Sequence, residues 1–364
     1  MMYQKELDAL QKAHRFRQKT AHPTGLIDLA SNDYLGLAGK KQLLKRAYQS
    51  VAFYDVHAPK SSLMVNGYHQ IHKDFENFLC RQNGFEAAHL LGSGFLANLS
   101  LLEALPRRGD MLLIDEEYHA SGVMGSKLCN AKVIFFRHND ALHVRQILQT
   151  HSYERVIIAV EGIYSMSGDI VDREFFDIAT EYEALLIVDE AHSSGILGVN
   201  LLGVFEHYGI EIKQNFIKMG TLGKAYGSYG AYILCSLHVS LFLQNRAKAM
   251  IYSTAVSLFD IALAHQSMLY IQKHKKELAL QIAKRQMLVR EYFDQDMAGL
   301  ILKLEVGSSK EVLALQAILR EKNFFVGAIR PPTYPKAMLR VIPKIDVSLE
   351  LTCELFASIK EEGL

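Results

Sequence analysis

The chain has 364 residues, 49% of them apolar and 22% charged, the balance of an ordinary globular protein long enough to bury a large core. Its 40 basic and 39 acidic residues leave a net charge of +1, which gives no overall electrostatic drive toward nucleic acid or an anionic membrane. Four scattered cysteines (Cys80, Cys129, Cys235, Cys353) form no C-x-x-C pair, which argues against a disulfide frame or a zinc site and fits reduced thiols of a cytoplasmic protein.

The N-terminal stretch MMYQKELDALQKAHRFRQK is polar and helical in pattern, without the apolar centre of a signal peptide. No apolar run reaches the roughly 20 residues that a bilayer span requires. Beyond the arm, short apolar runs recur: AHLL (88–91), MLLID (111–115), VIFF (133–136), RVIIAV (155–160), LLIVD (185–189), FIKMG (216–220) and AYILC (231–235). Helix-like segments such as FLANLSLLEAL (95–105) and DREFFDIATEYEA (172–184) lie between them. Continuous apolar runs alternating with helices predict an α/β fold with a mostly parallel sheet covered on both faces. A long, charge-rich helical stretch follows over 258–297, then a smaller α+β tail. The expected division is an N-terminal arm (1–37), a large domain (38–270) and a small C-terminal domain (271–364), with no internal repeat.

Two patterns suggest nucleotide chemistry and fail. Lys224 follows a glycine in GTLGKAYGSYG (220–230), but a phosphate-binding P-loop needs G-x-x-x-x-G-K-[ST], and here Ala225 stands at the hydroxyl position. The helicase-like DEAH (189–192) therefore has no phosphate cradle to serve. Read for its chemistry, DEAH closes the strand LLIVD, so Asp189 and His192 emerge at the carboxyl end of a parallel strand, the edge where open α/β sheets bind ligands. A plain polar strand end with a helix cap is the alternative. GSGFLANLSLL (92–102) is a glycine-rich turn that opens a helix and suits a single phosphate, or is simply a strand-to-helix turn. His119, in EEYHASGVMGSKL, follows the strand MLLID toward the same edge, although a lone histidine is more often structural. HQIH (69–72) has no third ligand in view, and no metal is assigned to it.

A phosphate turn, an Asp/His strand end, a second strand-end histidine and a lysine in a small-residue loop form the set that pyridoxal 5'-phosphate requires. Its aldehyde condenses with a lysine, and its ring nitrogen needs a carboxylate to stay protonated. Its phosphate takes helix N–H groups and hydroxyls, which Ser93 and Thr221 can supply. Enclosure would lower the Lys224 pKa and free its amine as nucleophile and base.

Ten segments in order carry a closer resemblance: SNDYLGL (31–37), NGYHQIHKDFE (66–76), GSGFLAN (92–98), DEEYHAS (115–121), FFRHND (135–140), EGIYSMSGD (161–169), IVDEAHSSGILG (187–198), GTLGKAYGSYGAY (220–232), IYSTA (251–255) and IRPPTYPKAMLR (329–340). The chain resembles the α-oxoamine synthases, pyridoxal-phosphate enzymes of fold type I that condense an amino acid with an acyl thioester. The resemblance implies a large domain with a mostly parallel sheet, a small α+β domain, and a homodimer with a shared active site. It implies that Lys224 attaches the cofactor, Asp189 meets the pyridine nitrogen, His192 the phenolic oxygen and His119 the ring face, with Ser165 near the cofactor. Phosphate contacts would come from Gly94, Phe95 and Thr221, with Thr254 given by the other subunit. Arg330 would bind the amino-acid carboxylate, with Thr333 and Asn32 near the substrate, and Arg17, or else Arg15, would meet the distal end of the acyl chain. The implied substrates are L-alanine and a pimeloyl thioester carried by coenzyme A or acyl carrier protein. Glycine C-acetyltransferase, 5-aminolevulinate synthase, serine palmitoyltransferase and aminotransferase chemistry are the alternatives within the fold, and a scaffold with a vestigial pocket is the alternative outside catalysis. One segment departs from the family pattern: HAPKSSLMVNGYH (57–69) places Pro59 and Lys60 where relatives carry glycines and Leu63 where an arginine can stand. This loop is expected near the substrate entrance, so acyl-chain preference is the property the resemblance implies least directly.

Overall fold

The computed structural model describes residues 2–13, 15–19, 21 and 25–364. It contains two compact units, one made of residues 35–165 and 169–282, the other of the described residues up to Tyr34 with 166–168 and 283–364. The larger unit is built on seven strands: β1 (Ala87–Leu91), β2 (Met111–Asp115), β3 (Lys132–Phe136), β4 (Val156–Glu161), β5 (Leu185–Asp189), β6 (Phe216–Thr221) and β7 (Ala231–Cys235). Their order across the sheet is β1-β7-β6-β5-β4-β2-β3. Strands β2 to β6 pair in parallel, and β7 is antiparallel to both neighbours, so the sheet is mostly parallel. Each of the seven apolar runs in the sequence coincides with one of these strands to within a residue or so.

Every residue of β2, β4 and β7 is buried, as a parallel sheet with helices on both faces demands. Strand β3 lies at the edge and leaves Lys132 and Phe135 exposed. Alternation along the strands turns Leu112, Ile114, Ile157, Ala159, Ile187, Ile217, Met219 and Ile233 into one core cluster, which the helix Gly94–Ala104 closes with Leu101 and Leu102. Elsewhere in this unit Phe176, Phe205 and Phe216 pack edge to face or tilted, with centroids 5.1–5.9 Å apart. The parallel pairing has one consequence for function: Asp115, Glu161, Asp189 and Thr221 all end their strands on one edge of the sheet.

The smaller unit holds an antiparallel sheet of Gly327–Ile329, Met338–Val341 and Leu302–Glu305, with the helices Ser309–Glu321 and Leu349–Glu361. The chain near the N-terminus belongs to this unit, because Ile27–Asp28 pairs in parallel with Phe324–Phe325. A two-residue pairing across some 300 positions leaves no local signal in the sequence. The division of the units falls after Ile282, inside the single helix Leu258–Phe293, rather than at 270/271. Arg285 helps explain this, since it is buried in the smaller unit and donates to the carbonyls of Lys344, Ile345 and Val347. Among the described residues no helix is long and apolar enough to cross a membrane.

Gly220, in β6, leaves no room for a side chain. A Cβ there would lie 2.3 Å from the ring of Tyr232, which is buried and tied through its hydroxyl to Ser194 Oγ at 2.9 Å. Gly220→Ala is expected to lower stability by about 1–3 kcal/mol, read as a shift in the urea midpoint.

Candidate active site

The site in the larger unit is assembled from strand ends. Asp189 closes β5 and is 4% exposed, so its charge must be met by donors. Its Oδ1 accepts from Ala191 N at 2.9 Å and its Oδ2 from Asn98 Nδ2 at 2.8 Å. Asn98 is buried in turn, donates also to Ser121 Oγ at 3.0 Å, and accepts from the Tyr118 hydroxyl at 2.8 Å. The helix Gly94–Ala104 therefore orients the carboxylate that the sequence pattern singled out.

His192 and Lys224 meet at this edge, with Lys224 Nζ 2.6 Å from His192 Nε2. Lys224 is half-buried, less enclosed than its run of small residues suggests; the fully buried lysine is Lys218, six positions earlier in β6. Lys218 donates to Asn83 Oδ1 at 2.9 Å and to the Leu202 carbonyl, and it faces Glu190 Oε1 at 3.6 Å. Glu190 accepts from Ser193 Oγ at 2.6 Å and Val204 N at 2.9 Å. The letters of DEAH thus divide, with Asp189 and His192 at the site and Glu190 in the structural core.

His119 begins the short helix Ala120–Ser126, and its Nδ1 accepts from Ser121 N at 3.2 Å and lies 2.6 Å from Ser121 Oγ. The neutral ring then carries its proton on Nε2. His119 is exposed, yet the surrounding protein partly desolvates its ring. That desolvation, with the nearby Lys224 charge, holds its pKa below 6.5 against the opposing pull of Asp189. Ser165 is buried, with its backbone N–H donated to Glu161 Oε2 at 2.9 Å.

Ser93 caps the helix Gly94–Ala104 by accepting from Leu96 N at 3.3 Å. The N–H groups of Gly94 and Phe95 fall in the first turn, where no intrahelical acceptor exists. A Cβ on Gly94 would lie 3.8 Å from Thr221 Cβ, which brings the end of β6 against the start of this helix. Thr254 is exposed and forms an isolated bridge with Ser62. These features fit pyridoxal phosphate: a helix N-terminus flanked by hydroxyls for its phosphate, a buried carboxylate held ready for the ring nitrogen, and an amine against an imidazole for its aldehyde.

Arg17, Arg330, Thr333 and Asn32 lie in the smaller unit. Arg17 Nη2 donates to Thr333 Oγ1 at 2.7 Å, and Thr333 N to Arg330 O at 3.0 Å. Arg15, Arg17 and residues 328–333 line one cavity of about 220 Å³, so both arm arginines reach the same place. Asn32 Oδ1 accepts from the buried Arg340 at 3.0 Å.

Other sequence features have structural roles. HQIH is a helix cap: His69 Nδ1 accepts from Ile71 N, His72 Nδ1 accepts from His69 N, and His72 Nε2 donates to Val256 O at 2.8 Å. In the departing segment Lys60 takes a left-handed backbone (φ +64°), the conformation a glycine adopts without strain. A cavity of about 440 Å³ is lined by Val156, Leu185 and Asn215 at the opposite, amino-terminal edge of the sheet. The sequence reading did not single out Asn98, Glu161 or Arg340. All three lie inside motifs already quoted, and their roles depend on which strands and helices become neighbours.

His138, from FFRHND, braces the loop that leads to Ser165. Its Nδ1 lies 3.0 Å from Asp115 Oδ1 and its Nε2 3.1 Å from Asp169 Oδ2, while the Tyr164 hydroxyl donates to Asp115 Oδ2 at 2.7 Å. Burial alone would lower its pKa, but the hydrogen bonds to Asp115 and Asp169 outweigh this and raise it to about 10. With the folded pKa above the unfolded 6.5, the stabilisation is complete below 6.5 and is lost as pH rises toward 10. The stability difference between wild type and His138→Gln is expected to shrink across that interval, read as urea midpoints at a series of pH values.

The profile of the aminotransferase class I and II family matches residues 24–350. The chain is 44% identical to 8-amino-7-oxononanoate synthase of Helicobacter pylori (strain ATCC 700392 / 26695), covering 97% of this chain and 95% of that one. It is 36% identical to the enzyme of that name from Acidithiobacillus ferrooxidans, covering 87% and 82%. Among solved structures, 8-amino-7-oxononanoate synthase from Francisella tularensis superposes with a TM-score of 0.77 at 25% identity, over 93% of this chain and 98% of that one. Serine palmitoyltransferase of Sphingomonas wittichii superposes with a TM-score of 0.90 at 24% identity, over 100% and 98%, a likeness of fold.

Proposed function

The chain belongs to the aminotransferase class I and II family, and we propose that it condenses L-alanine with a pimeloyl thioester to give 8-amino-7-oxononanoate, CO2 and the free thiol, a step of biotin biosynthesis. The observation that carries the chemistry is the Lys224 amine set 2.6 Å from His192 at the sheet edge that Asp189 closes. The choice of product rests on the curated relatives, which the chain matches along nearly its whole length.

Bound pyridoxal phosphate would supply an aldehyde that joins amines and a protonated ring that withdraws electrons from the amino acid's Cα. Asp189 keeps the proton on the ring nitrogen, an ionic hydrogen bond made stronger by burial. With the cofactor bound, His192 would meet its phenolic oxygen, His119 would cover the ring face, and Ser165 would lie beside it. Ser93, Gly94, Phe95 and Thr221 would hold its phosphate, joined by Thr254 of a second copy. Arg330 pairs with the alanine carboxylate through two parallel hydrogen bonds, with Asn32 and Thr333 nearby. Lys224 Nζ takes the Cα proton as a carbon–carbon bond forms to the thioester carbonyl and the thiol departs. The carboxylate then leaves as CO2 while His192 or His119 donates to the new carbonyl, and a proton returns to Cα. Arg17 or Arg15 meets the far carboxylate of the acyl chain.

A second copy of the chain is part of this reading. Phe53, Val65 and Tyr252 are 83%, 76% and 80% exposed, and Val65 and Tyr252 flank the Ser62–Thr254 bridge in sequence. Aromatic and aliphatic side chains left this open suit a homodimer face.

Borohydride is expected to fix the cofactor on wild-type protein and not on Lys224→Ala, whose turnover should fall by roughly a thousandfold or more. The substrate choice is tested by thiol release with L-alanine, glycine and serine against acyl thioesters of several lengths, on coenzyme A and on acyl carrier protein. Highest turnover with L-alanine and a pimeloyl donor supports the reading. A preference for glycine with acetyl-CoA, or turnover of a 2-oxo acid without thioester, overturns it.

A further inference from the structure

The larger unit buries five carboxylates among its described residues, and one of them stands apart. Asp110, Asp115, Asp189 and Glu190 each have donors facing both oxygens. Glu161 is 2% exposed, its Oε2 accepts from Ser165 N at 2.9 Å, and its Oε1 has no hydrogen-bond partner among the described residues. A carboxylate oxygen sealed from water without a donor is costly, whereas the same oxygen carrying a proton is a neutral hydroxyl.

The surroundings sharpen this. Glu161 ends β4 directly opposite Asp189 at the end of β5, and the strands are linked there by Gly162 N donating to Asp189 O at 2.8 Å. Asp189 has an N–H donor on each oxygen, whereas Glu161 has a donor on only one. Two anions side by side in a dry pocket repel, so a single proton shared by the pair goes to the oxygen without a donor. We propose that Glu161 is a positioning residue held as a neutral carboxylic acid, with the proton on Oε1, so that Oε2 anchors Ser165 and Asp189 remains the one anion of this pair. Burial first, and then the Asp189 charge, push the Glu161 carboxyl well above the ordinary carboxylate range, against the lesser pull of Lys224 and of the Ser165 and His119 N–H groups. Tyr118 and Tyr164 also face it and are held as neutral phenols, burial being the main cause. An ionised Glu161 would compete with Asp189 for the proton of the bound cofactor's ring nitrogen. That role rests on the pyridoxal-phosphate reading, and the protonation does not.

The test is infrared difference spectroscopy on the full chain carrying 13C-labelled glutamate, without cofactor or substrate. Glu76 has a pKa raised to about 7, so the spectra are taken at a pH well above that, where Glu76 is ionised. A protonated-carboxyl carbonyl band that shifts with the label and disappears in Glu161→Gln is expected. Absence of a label-sensitive band in the wild type overturns the proposal, and that reading needs no variant to fold. With pyridoxal phosphate bound, Glu161→Gln should keep the wild-type affinity and the same pH dependence of the cofactor's visible absorbance. Glu161→Ala, which leaves Ser165 N without its acceptor, should bind the cofactor about tenfold more weakly. A shifted pH dependence or lost affinity in folded Glu161→Gln would mean that the charge matters, and would overturn the proposal. Failure of the thiol-release assay with an intact band would count against the substrates alone.

Discussion

The site depends on one constraint, the burial of the Asp189 charge at the end of a strand. A carboxylate withdrawn from water must be met by fixed donors, and these come from two directions: the backbone just beyond β5 and the Asn98 amide on the helix that follows β1. The second donor matters most for architecture. The helix that fixes Asp189 through Asn98 also presents its first-turn N–H groups beside Thr221. One rigid element thereby sets the separation between the Asp189 carboxylate and the first-turn N–H groups beside Thr221. Tyr118 and Ser121, on either side of His119, hydrogen-bond to Asn98 as well, so His119 is tied to the same helix.

A second network holds the neighbouring loop. Asp115 ends β2 as Asp189 ends β5, but it is used differently. It accepts from His138, Tyr164 and the backbone N–H groups of Glu117 and Asn139, and every one of these bonds is internal. Tyr164 precedes Ser165, and Glu161 takes the Ser165 N–H, so two strand-terminal carboxylates hold this loop at adjacent residues. Binding groups built on rigid strand ends and braced by second contacts hold their geometry better than groups on free loops.

Much of this was legible in the sequence for a physical reason. Fully buried parallel strands read as unbroken apolar runs, and the polar residue that ends such a run sits at the ligand-binding edge. That logic located Asp189, His192, His119 and the Gly94 turn. It missed what depends on pairing between distant segments. Nothing local in GSGFLAN says that Asn98 faces Asp189, and nothing in EGIYSMSGD says that Glu161 lands opposite a second carboxylate, because register joins them. The pairing of Ile27–Asp28 with Phe324–Phe325 was equally hidden, since two residues carry no periodic signal. HQIH has a spacing that resembles ligation, yet it serves as a helix cap, its two imidazoles accepting from backbone N–H groups at the first turn.

The two lysines of FIKMGTLGK show why burial alone does not mark a reactive amine. Lys218 is the more enclosed, yet its ammonium is bound to Asn83 and Leu202 and faces Glu190, so the charge is neutralised where it sits and the amine has no open direction. Burial lowers its pKa and the Glu190 carboxylate opposes this, the signature of a structural pair. Lys224 lies beyond the end of β6, half-buried, with an imidazole as its close partner. An imidazole can accept from the ammonium and yield that hydrogen bond when a carbonyl arrives, which a buried carboxylate does less readily. The glycines around Lys224 therefore serve access rather than enclosure. On the proposed function, the residue fitted for covalent chemistry is the one whose partner can let go.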